Sequence, residues 1–481
     1  MRDAYQEPDF LNYLNDRQSH WDSVAERFGG QRRLASYYHH RLEEIFKFLV
    51  LPGLRVLELG CAQGDLLAAL KPNFGVGVDL STRMIGQARN RHPELNFIQA
   101  DAHALPIGTQ FDVIILSDLL NDVWDVQIVL EQVRQVVHEH TRVIITSYNR
   151  MWEPALSLAD RLNLAKPNLY QNWLTVEDIQ NLLNLSKFEL IRTWEEILWP
   201  FSTPIVTGIC NKFLARLWPF NHLALTHFII ARPGPSPGTK EKPPSISIVI
   251  PTRNEVGNIP HLFRRMPTFG GGVELIFVEG HSSDATYEVL QDEIAAQDAW
   301  SCKLLRQEGV GKGDAVRHGF AHAEGEILMI LDADLTVPPE DLPRFYQALT
   351  SGKADFANGV RLVYPMQDEA MRFFNLVGNK FFGLAFSWLL GQPIKDTLCG
   401  TKVLWKKDYE IIAENRDYFG GDDPFGDFDL LLGAAKQNLK IVDIPIRYRS
   451  RKYGSTNISR WKHGALLLRM LFLAARRLKF I

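Results

Sequence analysis

"RVLELGCAQGDLLAAL", residues 55–70, passes from branched apolar residues through a glycine-bracketed turn into apolar residues at helical spacing. That is strand, tight turn, helix. Further apolar runs follow at GVGVDL (75–80), NFIQAD (96–101), FDVIILS (111–117) and TRVIITS (141–147), each separated from the next by a helix-sized or loop-sized stretch. The pattern predicts an α/β domain with a largely parallel sheet covered on both faces. Ligands of such sheets sit at the carboxyl ends of the strands, so the residues just beyond each run are the first site candidates.

The turn discriminates between ligands. A dinucleotide pyrophosphate wants G-x-G-x-x-G, but counting from Gly60 the later positions are Ala62 and Asp65. A carboxylate at a helix start repels a pyrophosphate there. S-adenosylmethionine has no phosphate, and its sulfonium and amino groups are positive, so Glu58 and Asp65 become tolerable or helpful. Asp79, ending the second run, is placed to accept hydrogen bonds from ribose hydroxyls, and Asp101, ending the third, to face the adenine edge.

VLELGCAQG, followed by VDLS, QADA and FDVIILSDLL, resembles the class I S-adenosylmethionine-dependent methyltransferases over roughly residues 20–232. The resemblance implies that Glu58, Gly60, Gly64, Asp79 and Asp101 line the donor site, with Ser117 and Asp118 near the methyl group. The middle glycine of the family's loop is Ala62 here, at little cost as long as φ stays negative. FELIRTWEEILWP and LTHFIIARP then read as the closing antiparallel hairpin of that fold. No general base stands out, and methyl transfer can run largely on proximity; binding of the donor without transfer is the alternative.

"RPGPSPGTKEKPPS", residues 232–245, has Pro or Gly at seven of fourteen positions, a composition for a linker. It divides the 481 residues into two halves ample for large cores. The expected domains are a methyltransferase domain over 1–231, the linker at 232–245, a second α/β domain over 246–460 and a basic amphipathic helix over 461–481. Cys61, Cys210, Cys302 and Cys399 show no paired spacing, so neither disulfides nor zinc are expected and a reducing compartment fits. The N-terminus, MRDAYQEPDF, is polar and acidic, unlike a signal peptide. FFNLVGNKFFGLAFSWLLG (373–391) carries Asn375, Asn379 and Lys380, which makes it a poor membrane span. No transmembrane helix and no nucleic-acid partner are expected. The net charge of -3 hides an asymmetry, because residues 436–481 hold twelve Lys and Arg against the single acid Asp443. Something anionic is expected to meet this end.

In the second half, SISIVIPTRNE (245–255) and LIFVEGHSSDAT (275–286) read as strands running into polar turns. GVGKGDAVRHGFAHAEGEILMILDADL (309–335) is a glycine-rich turn, a helix and an apolar strand ending in Asp332-Ala333-Asp334. In an extended segment the two carboxylates fall on one side, and paired hard oxygens suit Mg²⁺ or Mn²⁺ holding a diphosphate. PTRNE, GKGDAVRHGF and the D-x-D in this order resemble the family 2, GT-A-fold glycosyltransferases over residues 245 to about 460. Within them they are similar to the polyprenyl-phosphate sugar transferases of the dolichyl-phosphate mannose synthase type.

That resemblance implies a UDP- or GDP-sugar donor. Pro251 and Glu255 help hold the nucleotide, Lys312 lies near the donor phosphates, Asp332 contacts ribose or metal, and Asp334 is the principal metal ligand. Arg361 and Lys402 match basic positions that meet phosphates. The family's D-D-G-S turn reads Glu279-Gly280-His281-Ser282 here. Its R-x-x-G-x-S-K runs from Arg451 to Asn457 without the final lysine. A hydroxyl acceptor would need a base, for which Asp427 or Asp429 in PFGDFDLLL is the candidate. A phosphate monoester is already ionised at neutral pH and needs cations, which Arg447, Arg449, Arg451 and Lys452 supply.

Lys462, Arg469 and Arg476 recur at seven-residue spacing in the final helix, an interfacial pattern. These features lead to an expected bifunctional enzyme on the cytoplasmic face of a membrane. It would transfer a sugar, with inversion, to a polyprenyl phosphate or another glycan or lipid acceptor, and a methyl group to an unknown acceptor. The alternatives are a glycosyltransferase acting on a saccharide hydroxyl beside a non-catalytic methyl-donor domain, and a ligand-sensing scaffold at the membrane.

Overall fold

The computed structural model describes residues 8–27, 36–161, 169, 171–235, 242–363, 373–416, 426–449, 451, 453 and 460–480. The chain divides into two compact units, one of Met1–Gly234 with Phe480–Ile481 and one of Pro235–Lys479. Each carries a seven-stranded mixed sheet. Both are α/β, as the alternating runs imply.

The first unit opens with α1 (Pro8–Arg27) and α2 (Ser36–Leu49) and continues β1 (Arg55–Leu59), α3 (Asp65–Ala69), β2 (Phe74–Asp79), α4 (Thr82–Arg91) and β3 (Asn96–Gln99). After these come β4 (Phe111–Ser117), α5 (Val126–Gln135), β5 (Val137–Tyr148), α6 (Glu153–Arg161), α7 (Val176–Leu185), β6 (Phe188–Glu196), the short α8 (Val206–Gly208) and β7 (Thr226–Pro233). Strand order is β3-β2-β1-β4-β5-β7-β6, parallel through β5, with β7 antiparallel to both β5 and β6. The apolar runs are continuous because both faces are covered. Leu57, Leu59, Ile114 and Leu116 point into one hydrophobic layer, and Val56, Val113 and Ile115 into the other. β5 begins earlier than the run TRVIITS, because Val137 pairs with Phe111 across a register shift at Phe111/Val113.

The second unit runs β8 (Ile246–Thr252), α9 (Ile259–Arg265), β9 (Val273–Glu279), α10 (Thr286–Ala295), β10 (Ser301–Arg306), α11 (Lys312–Ala321), β11 (Ile327–Ile330), α12 (Leu342–Thr350) and β12 (Phe356–Val360). It ends α13 (Phe373–Leu390), β13 (Lys402–Trp405), α14 (Lys406–Glu414), α15 (Asp427–Lys436), β14 (Ile441–Pro445) and α16 (Arg460–Ala474). Strand order is β10-β9-β8-β11-β13-β12-β14, and β13 runs antiparallel to β11 and β12. Ile246, Ile248 and Ile250 of β8 pack with Phe277, Met329 and Phe345 in one core. Among the described residues no helix is long and apolar enough to cross a membrane. Lys452 and linker residues 236–241 lie outside the described residues.

One turn in the first unit depends on a missing side chain. Gly64 precedes α3 at φ 77, and a Cβ there would stand 2.5 Å from the Phe97 ring of β3. Gly64→Ala therefore combines left-handed strain with overpacking, together about 2–4 kcal/mol. Calorimetry is expected to show the transition of the first unit falling while that of the second holds; an unchanged profile contradicts the packing.

Candidate functional sites

In the first unit the carboxyl ends of β1, β2 and β4 converge. The Gly60 and Cys61 amides both donate to the Val78 carbonyl, at 2.8 and 3.0 Å. Asp79 closes the turn by accepting from the Ala62 amide at 2.8 Å and the Ser81 amide at 2.9 Å. Ala62 itself lies at φ 45. The expectation of negative φ there is corrected: the alanine stands in the left-handed region, at a cost on the order of 1 kcal/mol. Asp101 accepts from His103 Nδ1 at 2.7 Å, and the Asp125 amide donates to His103 Nε2 at 3.1 Å, which puts the imidazole proton on Nδ1. Ser117 lies 3.5 Å from the Thr146 hydroxyl. Asp118, at φ 55, accepts from Tyr38 and Thr146 at 2.8 Å each. Asp65 turns outward to Arg91 and His92 at 3.1 and 3.0 Å, so its partners lie at the surface.

Sequence reasoning missed α1, which spans this edge. Asp22 accepts from the Ser81 hydroxyl at 2.5 Å and the Arg83 amide at 3.0 Å. Asp122, beyond β4, takes the Trp21 indole N–H at 2.7 Å and the Arg17 guanidinium, while the Tyr13 hydroxyl donates to its carbonyl. Tyr13, Arg17 and Trp21 recur every four residues, and that stripe was the available signal. Burial raises the Asp79 carboxyl, and Asp122 and Asp22 raise it further against the Ser81 and Ala62 amides that lower it. An edge holding Asp22, Asp79, Asp101, Asp118 and Asp122 around one Arg17 suits a cationic ligand, and a sulfonium with an ammonium fits it.

Glu58 differs from these acids. It is 3% exposed, and burial pushes its carboxyl from 4.5 up to about 8, against a lowering hydrogen bond from the Leu67 backbone. A carboxyl displaced that far upward keeps its proton over most of the neutral range. Between pH 4.5 and 8 the folded state keeps a proton that the unfolded state has released, so this group's stabilisation is full below that window and is lost as pH rises through it. Denaturant midpoints for the first unit should fall with pH across that window, and Glu58→Gln should flatten the slope; an unchanged slope contradicts the assignment.

In the second unit the site forms beyond β8, β9 and β11. The D-x-D does not extend β11, which ends at Ile330; it occupies a turn, with Leu335 at φ 57. The two carboxylates therefore take different cations. Asp332 meets Lys312 at 2.6 Å and Asp334 meets Arg451 at 2.6 Å. Arg451 also lies 3.8 Å from Glu255, whose carboxyl burial raises, with Asp334 and Asp332 adding to the rise and Asn258 and Arg451 opposing it. Burial lowers the Lys312 ammonium, but Asp332 and Asp427 outweigh it, so the net direction is up and the charge is held. Gly400 presses its backbone on this pair: a Cβ there would collide with Lys312 Nζ and Asp332. Pro251 pairs with Val278 at the carboxyl end of β8, and Glu279 accepts from the Ser282 amide at 2.5 Å.

The remaining expected residues separate. Asp427, at the start of α15, belongs with Lys312, whereas Asp429 is held by Arg416 at 2.7 Å. Arg447 and Arg449 are exposed, and the Arg449 amide donates to the Thr336 carbonyl at 3.0 Å, which ties this stretch to the D-x-D turn. Arg361 grips Asp396 with both Nε and Nη2, at 2.7 and 2.8 Å. Lys402 is 0% exposed and donates to the Cys399 carbonyl. Buried Asp396 and half-buried Asp443 both feel Lys402, so here Arg361 and Lys402 stand as counter-charges to these acids. Among the described residues no three His, Cys, Asp or Glu could hold a metal by themselves. Asp332 and Asp334 fit a divalent cation whose remaining ligands are phosphate oxygens and water.

Arg361→Ala should leave Asp396 buried without its partner and cost about 3–5 kcal/mol by denaturant titration. Arg361→Lys should recover only part, since the two-pronged fork is lost. Unchanged stability with weakened donor binding would instead favour the phosphate role.

A family model described as a methyltransferase domain matches residues 51–198, and one described as glycosyl transferase family 2 matches residues 247–404. "Glycosyltransferase AglJ" of Haloferax volcanii is 28% identical over 236 residues, 49% of this chain and 73% of that protein. A "Dolichol-phosphate mannosyltransferase" of Pyrococcus furiosus is 29% identical over 222 residues, 44% of this chain and 59% of that protein, so the match spans less than two thirds of its length. A crystal structure of magnesium protoporphyrin IX methyltransferase from Synechocystis PCC 6803 with bound SAH is similar at 16% identity and a TM-score of 0.34, covering 46% of this chain and 100% of that one. The chain is an enzyme that joins a methyltransferase domain to a family 2 glycosyltransferase domain.

Proposed function

We propose that the second unit transfers a sugar from a UDP- or GDP-sugar to a polyprenyl phosphate with inversion at the anomeric carbon, and that the first methylates an acceptor in the same glycolipid or surface-glycan route. The carrying observation is the convergence of Lys312–Asp332 with Arg451–Asp334 beyond β11, with Gly400 packed against the first pair. A Mg²⁺ or Mn²⁺ on Asp334 and Asp332 would neutralise the departing nucleoside diphosphate. Lys312 stands ready as a second cation for the donor phosphates, and Glu255, Pro251 and Glu279 border the nucleotide. Arg447 and Arg449 lie exposed next to the D-x-D turn, where an ionised phosphate acceptor would exchange its water for fixed cations.

The similarity to a dolichol-phosphate mannosyltransferase supports a lipid phosphate acceptor. A peripheral position on the cytoplasmic face accords with the basic α16. Holding two donor sites on one chain raises the local concentration of a shared intermediate. Asp427 beside Lys312 favours one second reading, a hydroxyl acceptor deprotonated by that carboxylate.

Asp334→Ala should abolish metal-dependent sugar transfer while leaving S-adenosylmethionine affinity within about twofold, since the variant touches one unit only. Both are measured on one preparation, with and without Mn²⁺. Near-normal transfer by the variant contradicts the D-x-D assignment. Transfer to a soluble saccharide that Asp427→Asn eliminates replaces the lipid phosphate with a hydroxyl acceptor.

A further inference from the structure

The stretch between β6 and β7 is built inside out. From Trp199 to Leu223 ten large apolar side chains are exposed, among them Ile205 at 80% and Trp218 at 79%. Several polar groups of the same stretch point inward. Asn211 and Arg216 are 2% and 8% exposed. Asn211 donates to the Trp199 carbonyl at 2.7 Å and to the Tyr37 hydroxyl at 2.9 Å, and Arg216 pairs with buried Glu196. The far end is equally fixed: Asn149 donates to the His222 and Ala224 carbonyls at 2.9 Å each, and the Trp152 indole N–H to the Leu223 carbonyl at 2.8 Å. Phe213 leans on the Phe480 ring with centroids 5.7 Å apart, but a stretch so tied down does not display Ile205, Ile209 and Trp218 by default. Large apolar side chains exposed in such number within one short, fixed stretch mark an interaction site.

Charge and topology identify the occupant. Between Glu196 and Glu241 the sequence holds no acidic residue, while Lys212 and His222 stand exposed among the aromatics. Exposed Trp and Phe with sparse cations and no anion match the headgroup level of a bilayer, whereas the rim of a protein interface is polar and charged. The stretch also emerges on a definite edge. Thr226, where it ends, pairs with Tyr148 at the carboxyl end of β5, the edge that carries the Gly60 turn, Asp79 and Asp118. The Thr226 hydroxyl donates to the Tyr38 hydroxyl at 3.2 Å, which donates to Asp118 at 2.8 Å. We propose that residues 197–225 seat the first unit in the acyl–headgroup boundary of a lipid bilayer, with its methyl-donor edge facing the lipid. All but its first two residues lie beyond the methyltransferase match at 51–198, and the surface does not rest on the charge of α16 or on the nature of the sugar acceptor.

The full chain is sedimented with vesicles of phosphatidylcholine containing a minority of phosphatidylglycerol, at low and high salt. Apolar insertion survives salt and attraction of α16 does not, so binding should persist at high salt. The triple variant Ile205→Ser, Ile209→Ser, Trp218→Ser should weaken that salt-resistant binding on the order of a hundredfold, with circular dichroism and S-adenosylmethionine affinity unchanged. Lipids brominated near the headgroup should quench the wild-type tryptophan fluorescence, and Trp218→Phe, which keeps the fold and the apolar surface, should remove a measurable part of that quenching. Absence of wild-type binding, loss of all binding at high salt, or equal binding by the triple variant overturns the proposal. So does a dimer that only the triple variant dissociates while vesicle binding is unaltered, which would give the surface to a second copy of the chain.

Discussion

Strands buried on both faces carry mostly apolar side chains, and in both sheets the polar groups of the candidate sites gather at the carboxyl ends. Val56, Leu57 and Leu59 of β1 are 0% exposed, as are Val249 and Ile250 of β8 and all of β11. Each chemical group that matters is displaced to the carboxyl edge: Asp79 after Val78, Asp118 after Ser117, Glu279 after Val278, Asp332 after Leu331. Glu58 breaks the rule from inside β1. The interior answers by keeping its proton, because an uncompensated carboxylate there would cost more than the upward displacement of its pKa.

The two edges solve opposite electrostatic problems. In the first unit, among the described residues, Asp22, Asp79, Asp118 and Asp122 gather near Arg17, an arrangement that a positive ligand can balance. In the second each acid of the D-x-D already holds a cation, Lys312 on Asp332 and Arg451 on Asp334. Charge in both cases is arranged by backbone turns. Ala62, Asp118 and Leu335 all sit at positive φ, and such conformations persist only where surrounding bonds over-determine them.

These bonds explain what the sequence could and could not disclose. Strands β1, β2 and β4 were legible because continuous apolar runs ended in polar turns. β12 (FANGV) and β13 (KVLW) were not, since their polar residues lie within short buried strands. Lys402 and Arg361 carried the right charge for phosphate, but the sequence does not reveal that Asp396 folds in beneath them. The order of PTRNE, GKGDAVRHGF and D-x-D disclosed the site, while the turn that separates Asp332 from Asp334 depends on φ values that residue types do not specify. Tyr13, Arg17 and Trp21 could be read as a stripe, yet nothing in their spacing names Asp122 as the partner.

Asp79 holds two loops together with the carboxylate that is also the candidate for ribose. One oxygen fastens Ala62 in its left-handed conformation and the other fastens Ser81, whose hydroxyl caps α4. The atoms that build the turn are thus the same ones offered to a ligand there. Any drift at this position toward another cofactor would first loosen the turn that receives it, so the residue is locked against change by two independent demands. Divergence in ligand preference is left to the neighbours, such as α1, that touch the pocket without building it.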